Sequence, residues 1–125
     1  MNKDLICRFT EILSQLRVLH WQTCSFARHK AYEDIYNSLG DLIDDFVEVY
    51  QGKYKRIKIT SQPKIFNIDE DDCINKFIDE NLNFLIKELP QLLKSVEDGD
   101  DVDLFAIRDE MVRDFNKLRY LLTLK

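Results

Sequence analysis

A chain of 125 residues with 45% apolar and 33% charged residues has the length of one domain, residues 1–125, and enough apolar side chains to bury a core. Three Gly and two Pro favour long helices over many short strands, and a net charge of −5 argues against nonspecific nucleic-acid binding, so DNA is not an expected partner. Three cysteines without metal-type spacing fit a reducing compartment, the N-terminus is too polar for a signal peptide, and no stretch approaches the ~20 apolar residues of a membrane span. A cytoplasmic protein is the expectation.

Leu5, Phe9, Ile12, Leu16 and Leu19 step by four and three, which predicts a first helix from about Lys3 into the low twenties. A second begins at Ser25, an N-cap type, and runs to Gly52 as its C′ glycine, with Tyr32, Ile35, Leu39, Ile43 and Phe46 on the apolar face. "KYKRIKITSQPKIFNI" has no sustained helical period, so a long connection follows, extended at "RIKIT". The acidic run Asp69 to Asp72 then opens a third helix, with Phe77, Ile78, Leu82, Leu85 and Leu89 inward and a kink at Pro90. "EDGDD" breaks it, and Leu104, Ile107, Met111, Phe115 and Leu118 mark a fourth helix that runs nearly to Lys125. The predicted fold is all-α: a four-helix bundle of ferritin-like connectivity, with its long crossover between helices two and three.

The second helix also carries His29, Glu33, Asp44 and Glu48, two i, i+4 pairs of metal-ligand type. At ~100° per residue all four fall on one stripe about 100° wide, more than a quarter turn from the apolar face. Glu33 and Asp44 are eleven residues apart, or ~16 Å, too far for one ion within one helix. Positions 29 and 48, like 33 and 44, are mirror-symmetric about a point between Ser38 and Leu39. A second copy of this helix packed antiparallel about a two-fold axis there would set His29 against the mate's Glu48 and Glu33 against its Asp44, making two equivalent sites. Gly40 and Asn37 share the stripe, and a mid-helix Gly costs roughly 1 kcal/mol relative to Ala, which close helix approach would justify. Any one of these residues alone reads as part of a solvated face; the symmetric set reads as a site. His20, beside Trp21 at the end of the first helix, is by itself more often packing, but near carboxylates it becomes a further nitrogen ligand. Imidazole with carboxylate suits iron, manganese or zinc.

With "HW" at His20 and Trp21, "HKAYE" at His29 to Glu33 and "DDFVE" at Asp44 to Glu48, the stretch from Leu16 to Gly52 resembles the Dps-type miniferritins. It departs from their pattern in a shorter link between "HW" and the second-helix His, in Glu33 where Asp is usual, and in the absence of a Lys-rich tail. The resemblance implies a mono- or diiron site shared between two-fold mates, Fe(II) oxidation by oxygen or peroxide, ferric storage if a larger shell forms, and Trp21 as an electron-donating aromatic. For Trp21 itself, burial by packing is the expectation. The competing reading is a ferritin-like structural or adaptor dimer with a vestigial metal site, its partner surface being the basic connection with Lys53, Lys55, Arg56, Lys58 and Lys64. A run of this kind is more often a solvated loop.

Overall fold

The computed structural model describes residues 4–94 and 99–125, and among these every regular element is helical. The elements are α1 (Leu5–Gln22), α2 (Phe26–Lys53), α3 (Ile74–Asn83) and α4 (Val102–Leu121), with a π-helical turn, Phe84–Glu88, and a 3-10 turn, Leu89–Leu92, continuing α3. None of these helices is long and apolar enough to cross a membrane. Residues 1–3 and 95–98, which hold the expected first-helix start at Lys3 and part of the "EDGDD" break, lie outside the described residues.

Cross-links between elements define their directions. Ser38 meets Asp114 and Lys53 meets Asp103, so α2 and α4 are antiparallel. Arg119 reaches Asp79 while Arg108 reaches Leu85, so α3 and α4 are antiparallel too. α2 and α3 therefore run the same way, and the chain between them must travel the whole bundle length. It does so as an extended strap alongside α1, with no partner strand. The Asp4 carboxylate accepts from the Thr60 and Ser61 N–H groups at 2.5 and 3.0 Å; Glu11 accepts from the Lys64 N–H at 2.8 Å. Gln15 both accepts from the Phe66 N–H at 3.0 Å and donates to its carbonyl at 2.7 Å. These five hydrogen bonds satisfy strap backbone groups that a sheet would otherwise have to pair.

Asp4 also caps α1, accepting from the Cys7 N–H at 2.7 Å. Burial pushes its carboxyl up, but the hydrogen bonds from Thr60, Cys7 and Ser61 outweigh that and hold it at about 2. A depressed carboxyl contributes stability that is complete above its unfolded value near 4 and is lost as the pH falls toward 2. Asp4→Ala should therefore destabilise the fold by about 1–2 kcal/mol at neutral pH. It should also flatten the acid limb of the stability curve, as urea titrations across pH 2–6 would report.

At the other ends, Ser25 caps α2 through the Arg28 N–H at 3.2 Å. Gly52 does not end this helix: it lies in the last turn, and Tyr54 is the cap residue. The acidic run at 69–72 forms a turn ahead of α3, not its first turn. Asp69 accepts from the Asp71 and Asp72 N–H groups and Cys73 is the N-cap. The expected kink at Pro90 is felt one turn earlier. The Leu89 N–H reaches back to the Phe84 carbonyl, five residues away. Pro90 has no N–H for the Leu85 carbonyl, and Arg108 Nη1 donates to that oxygen instead, at 3.1 Å. Phe84, absent from the predicted apolar face, lies in the core about two turns after Phe77. There it meets Phe9 edge-on at 6.1 Å, and Phe9 meets Phe46 at 5.5 Å.

Candidate metal centre at the crossing of α1 and α2

Thr23, Cys24 and Ser25 are the only residues between α1 and α2. So short a link folds the end of α1 directly onto the start of α2 and brings His20 against His29. The rings stack with centroids 3.8 Å apart and planes 19° from parallel. His20 Nδ1 lies 2.9 Å from the His29 carbonyl oxygen, and His29 Nδ1 lies 2.8 Å from the His20 carbonyl oxygen. A carbonyl can only accept, so both Nδ1 atoms carry the proton. The neutral rings consequently keep their lone pairs on Nε2. An Nδ1–H held by a backbone carbonyl is the arrangement that orients an imidazole for ligation through Nε2. Most of His20 is buried and His29 is half-buried, so the pair sits at the surface end of the crossing.

Glu33 lies one turn along α2 from His29, with Lys30 Nζ at 3.3 Å. The Lys30 hydrogen bond and charge lower its carboxyl from the ordinary value. Asp44 and Glu48 are exposed about three and four turns further on, and no described residue pairs with them. Among the described residues of one chain, no three His, Cys, Asp or Glu side chains converge to hold an ion. His20, His29 and Glu33 gather at one end of α2; Asp44 and Glu48 do not join them, as the eleven-residue interval requires.

Gly40 stands between the two groups, and a Cβ built on it meets nothing within 4 Å. No contact among the described residues explains this glycine. Trp21 is 68% exposed, which corrects the expectation of burial: His20 takes the inward place, and the next residue, ~100° around the helix, points out. Arg17 lies over Tyr36 at 4.0 Å and reaches the Trp21 ring at 5.9 Å. Phe26 is 78% exposed, with its ring 6.4 Å from that of His29. Sequence reasoning passed over it, although the 3.6-residue period puts Phe26 on the same stripe as Glu33 and Asp44. Of the basic connection, Lys53 is taken up by Asp101 and Asp103, while Lys55, Arg56 and Lys58 are exposed.

These features define an all-α protein of four helices, with a stacked imidazole pair where α1 meets the carboxylate-bearing α2. The chain belongs to the family of unknown function DUF5856, whose model matches residues 20–122. Over 81 residues it is 38% identical to an uncharacterized 14.6 kDa protein in the mobD-ri intergenic region of Enterobacteria phage T4, an alignment covering 63% of this chain and 62% of that protein. The chain thus spans less than two thirds of the length of that relative. No solved structure matches it. The family match corrects the resemblance to Dps-type miniferritins. That resemblance rested on a few residues between Leu16 and Gly52, whereas the matched family spans nearly the whole chain. Ligand spacing on a helix is dictated by the 3.6-residue turn and by coordination distances, so it recurs in chains of different descent.

Proposed function

We propose that this protein binds a divalent transition metal, iron foremost, at sites shared between two copies of the chain, and that Fe(II) is oxidised there by oxygen or peroxide. The reciprocal His20–His29 pair carries the reading: both rings are locked in the tautomer that leaves Nε2 free to ligate. Two imidazoles with a carboxylate suit iron, manganese or zinc better than magnesium or calcium. His20, His29 and Glu33 of one chain would hold the ion, with Asp44 and Glu48 supplied by an antiparallel mate. Iron is the substrate in this scheme, and it supplies the electron that the oxidant takes. The backbone carbonyls of residues 20 and 29 fix ring orientation, and the carboxylates offset the cation's charge.

One further observation favours a two-fold partner: the open space at Gly40 admits a second backbone. Asp34, Asp41, Asp44, Asp45 and Glu48 leave one exposed side of α2 strongly negative, so two copies would repel until a cation bound between them. Zinc, a redox-silent substitute, should raise the melting temperature of the native protein and favour the dimer by mass action. His20→Ala and His29→Ala should each remove most of that gain while leaving the helical circular dichroism unchanged. Gly40→Leu has room in the isolated chain and should weaken the dimer. Unchanged dimer affinity and metal binding in Gly40→Leu, measured by ultracentrifugation and calorimetry, would defeat the two-fold arrangement.

A further inference from the structure

A second site lies away from the histidine pair, where the strap holds α1 and α3 apart. A cavity of about 360 Å³ opens there, within the range of small-molecule sites. Its walls are of two kinds. Ile12, Phe66, Ile68 and Phe77 are apolar, while Arg8, with Lys64 and Lys76 beside it, supplies positive charge.

Arg8 is the unusual member. Its guanidinium lies over the Phe84 ring at 4.5 Å, which fixes its position, and Phe84 is fully buried. Its Nε is buried without a hydrogen-bond partner. Buried polar atoms in folded proteins are nearly always satisfied, and an orphaned nitrogen on a permanent cation is among the costliest exceptions. The carboxylates lining the cavity do not meet this need. Glu11 accepts from the Lys64 N–H, Glu80 pairs with Lys76 Nζ at 3.9 Å, and no described acid ion-pairs with Arg8. Gln15, which also lines the cavity, is committed through both side-chain polar atoms to the Phe66 backbone. The cavity therefore presents an oriented cation lacking an acceptor, next to an apolar wall.

We infer that this cavity binds a small amphipathic carboxylate, its anionic head on Arg8 and its apolar body against Phe66 and Phe77. An anion in the cavity would meet the accessible end of the half-buried guanidinium through charge-assisted hydrogen bonds and offset the cation that its buried Nε leaves poorly satisfied. The strap's pinning by Gln15 keeps Phe66 in place as a wall before any ligand arrives.

The test uses the full chain, with octanoate as probe. In nitrogen-15 spectra the Arg8 Nε–H resonance should shift saturably with octanoate, together with the Phe66 and Phe77 amides. Acetate, the head without the body, should bind at least tenfold more weakly, and octylamine should leave the Arg8 resonance unmoved. Arg8→Met keeps an unbranched apolar stem over Phe84 and should weaken octanoate binding at least tenfold. Should that variant not fold, the wild-type resonance still decides. The inference is overturned if octanoate produces no saturable shift, which would make the cavity a water site only. It is equally overturned if octylamine binds as well as octanoate, or if folded Arg8→Met binds as tightly as wild type.

Discussion

Mixing an Asp44→Asn, Glu48→Gln variant with a His29→Ala, Glu33→Gln variant should restore metal binding and iron oxidation that neither variant shows alone. Each homodimer lacks half of the ligands at both of its sites. In the mixed dimer one site draws His29 and Glu33 from the first chain and Asp44 and Glu48 from the second, so its set is complete. The other site has none of the four. With free exchange of equal amounts, about a quarter of the wild-type number of sites should return, because half the dimers are mixed and each holds one complete site. The carboxamide and alanine changes fall on exposed or half-buried positions of α2, so each chain should stay helical. A two-chain site does not survive one result: no recovery after subunit exchange has been shown by native mass spectrometry.

The largest stability effect should come from Asp101, which is fully buried where the ends of α2 and α4 meet. Its two oxygens accept from the Tyr54 hydroxyl at 2.7 and 2.6 Å. The Lys94 N–H donates to one of them at 2.5 Å, and Lys53 Nζ lies 3.1 Å from the other. Asp101→Ala would take from the Tyr54 hydroxyl, the Lys94 N–H and Lys53 the charged acceptor they share, at a cost of about 3 kcal/mol. For a domain of this size that is about 10 °C in melting temperature. Asp103→Ala removes a half-exposed partner of the same lysine and should cost well under 1 kcal/mol.

Burial pushes the Asp101 carboxyl up, but Tyr54, Lys94 and Lys53 outweigh it, and the folded value lies below the ordinary one. Its contribution is thus complete above pH 4 and declines as the pH falls through the folded value. At the alkaline end, the hydrogen bond to Asp101 and burial raise Tyr54 to about 12. A phenol raised in the fold stabilises below its unfolded value near 10, and that share is lost as the pH climbs toward 12. Tyr54→Phe should flatten the alkaline limb and soften the acid one, since the same hydroxyl helps depress Asp101, and Asp101→Ala should flatten both.

Four apolar periodicities, the Ser25 cap and the outward stripe of His29, Glu33, Asp44 and Glu48 could all be read in advance. Each depends only on neighbours within a few turns of one helix. The long second connection was legible too, since a segment without helical period must cross the bundle somehow. Where that segment lies was not. Nothing in the sequence marks Asp4, Glu11 and Gln15, which matter because the fold brings the backbone at Thr60, Lys64 and Phe66 alongside them. Asp101 read as part of a helix break and became a buried node, because its partners come from residues 53, 54 and 94. The Leu85 carbonyl, left without a helical donor by Pro90, is taken up by Arg108, a residue of another helix.

The histidines divide along the same line. Spacing on α2 set His29 in register with three carboxylates, a property of one helix and its 3.6-residue turn. That His20 should stack on His29, each ring donating to the other's backbone, depends on the angle at which a three-residue link folds α1 onto α2. Helix geometry determines which residues share a face; only the packing of helices determines which faces meet.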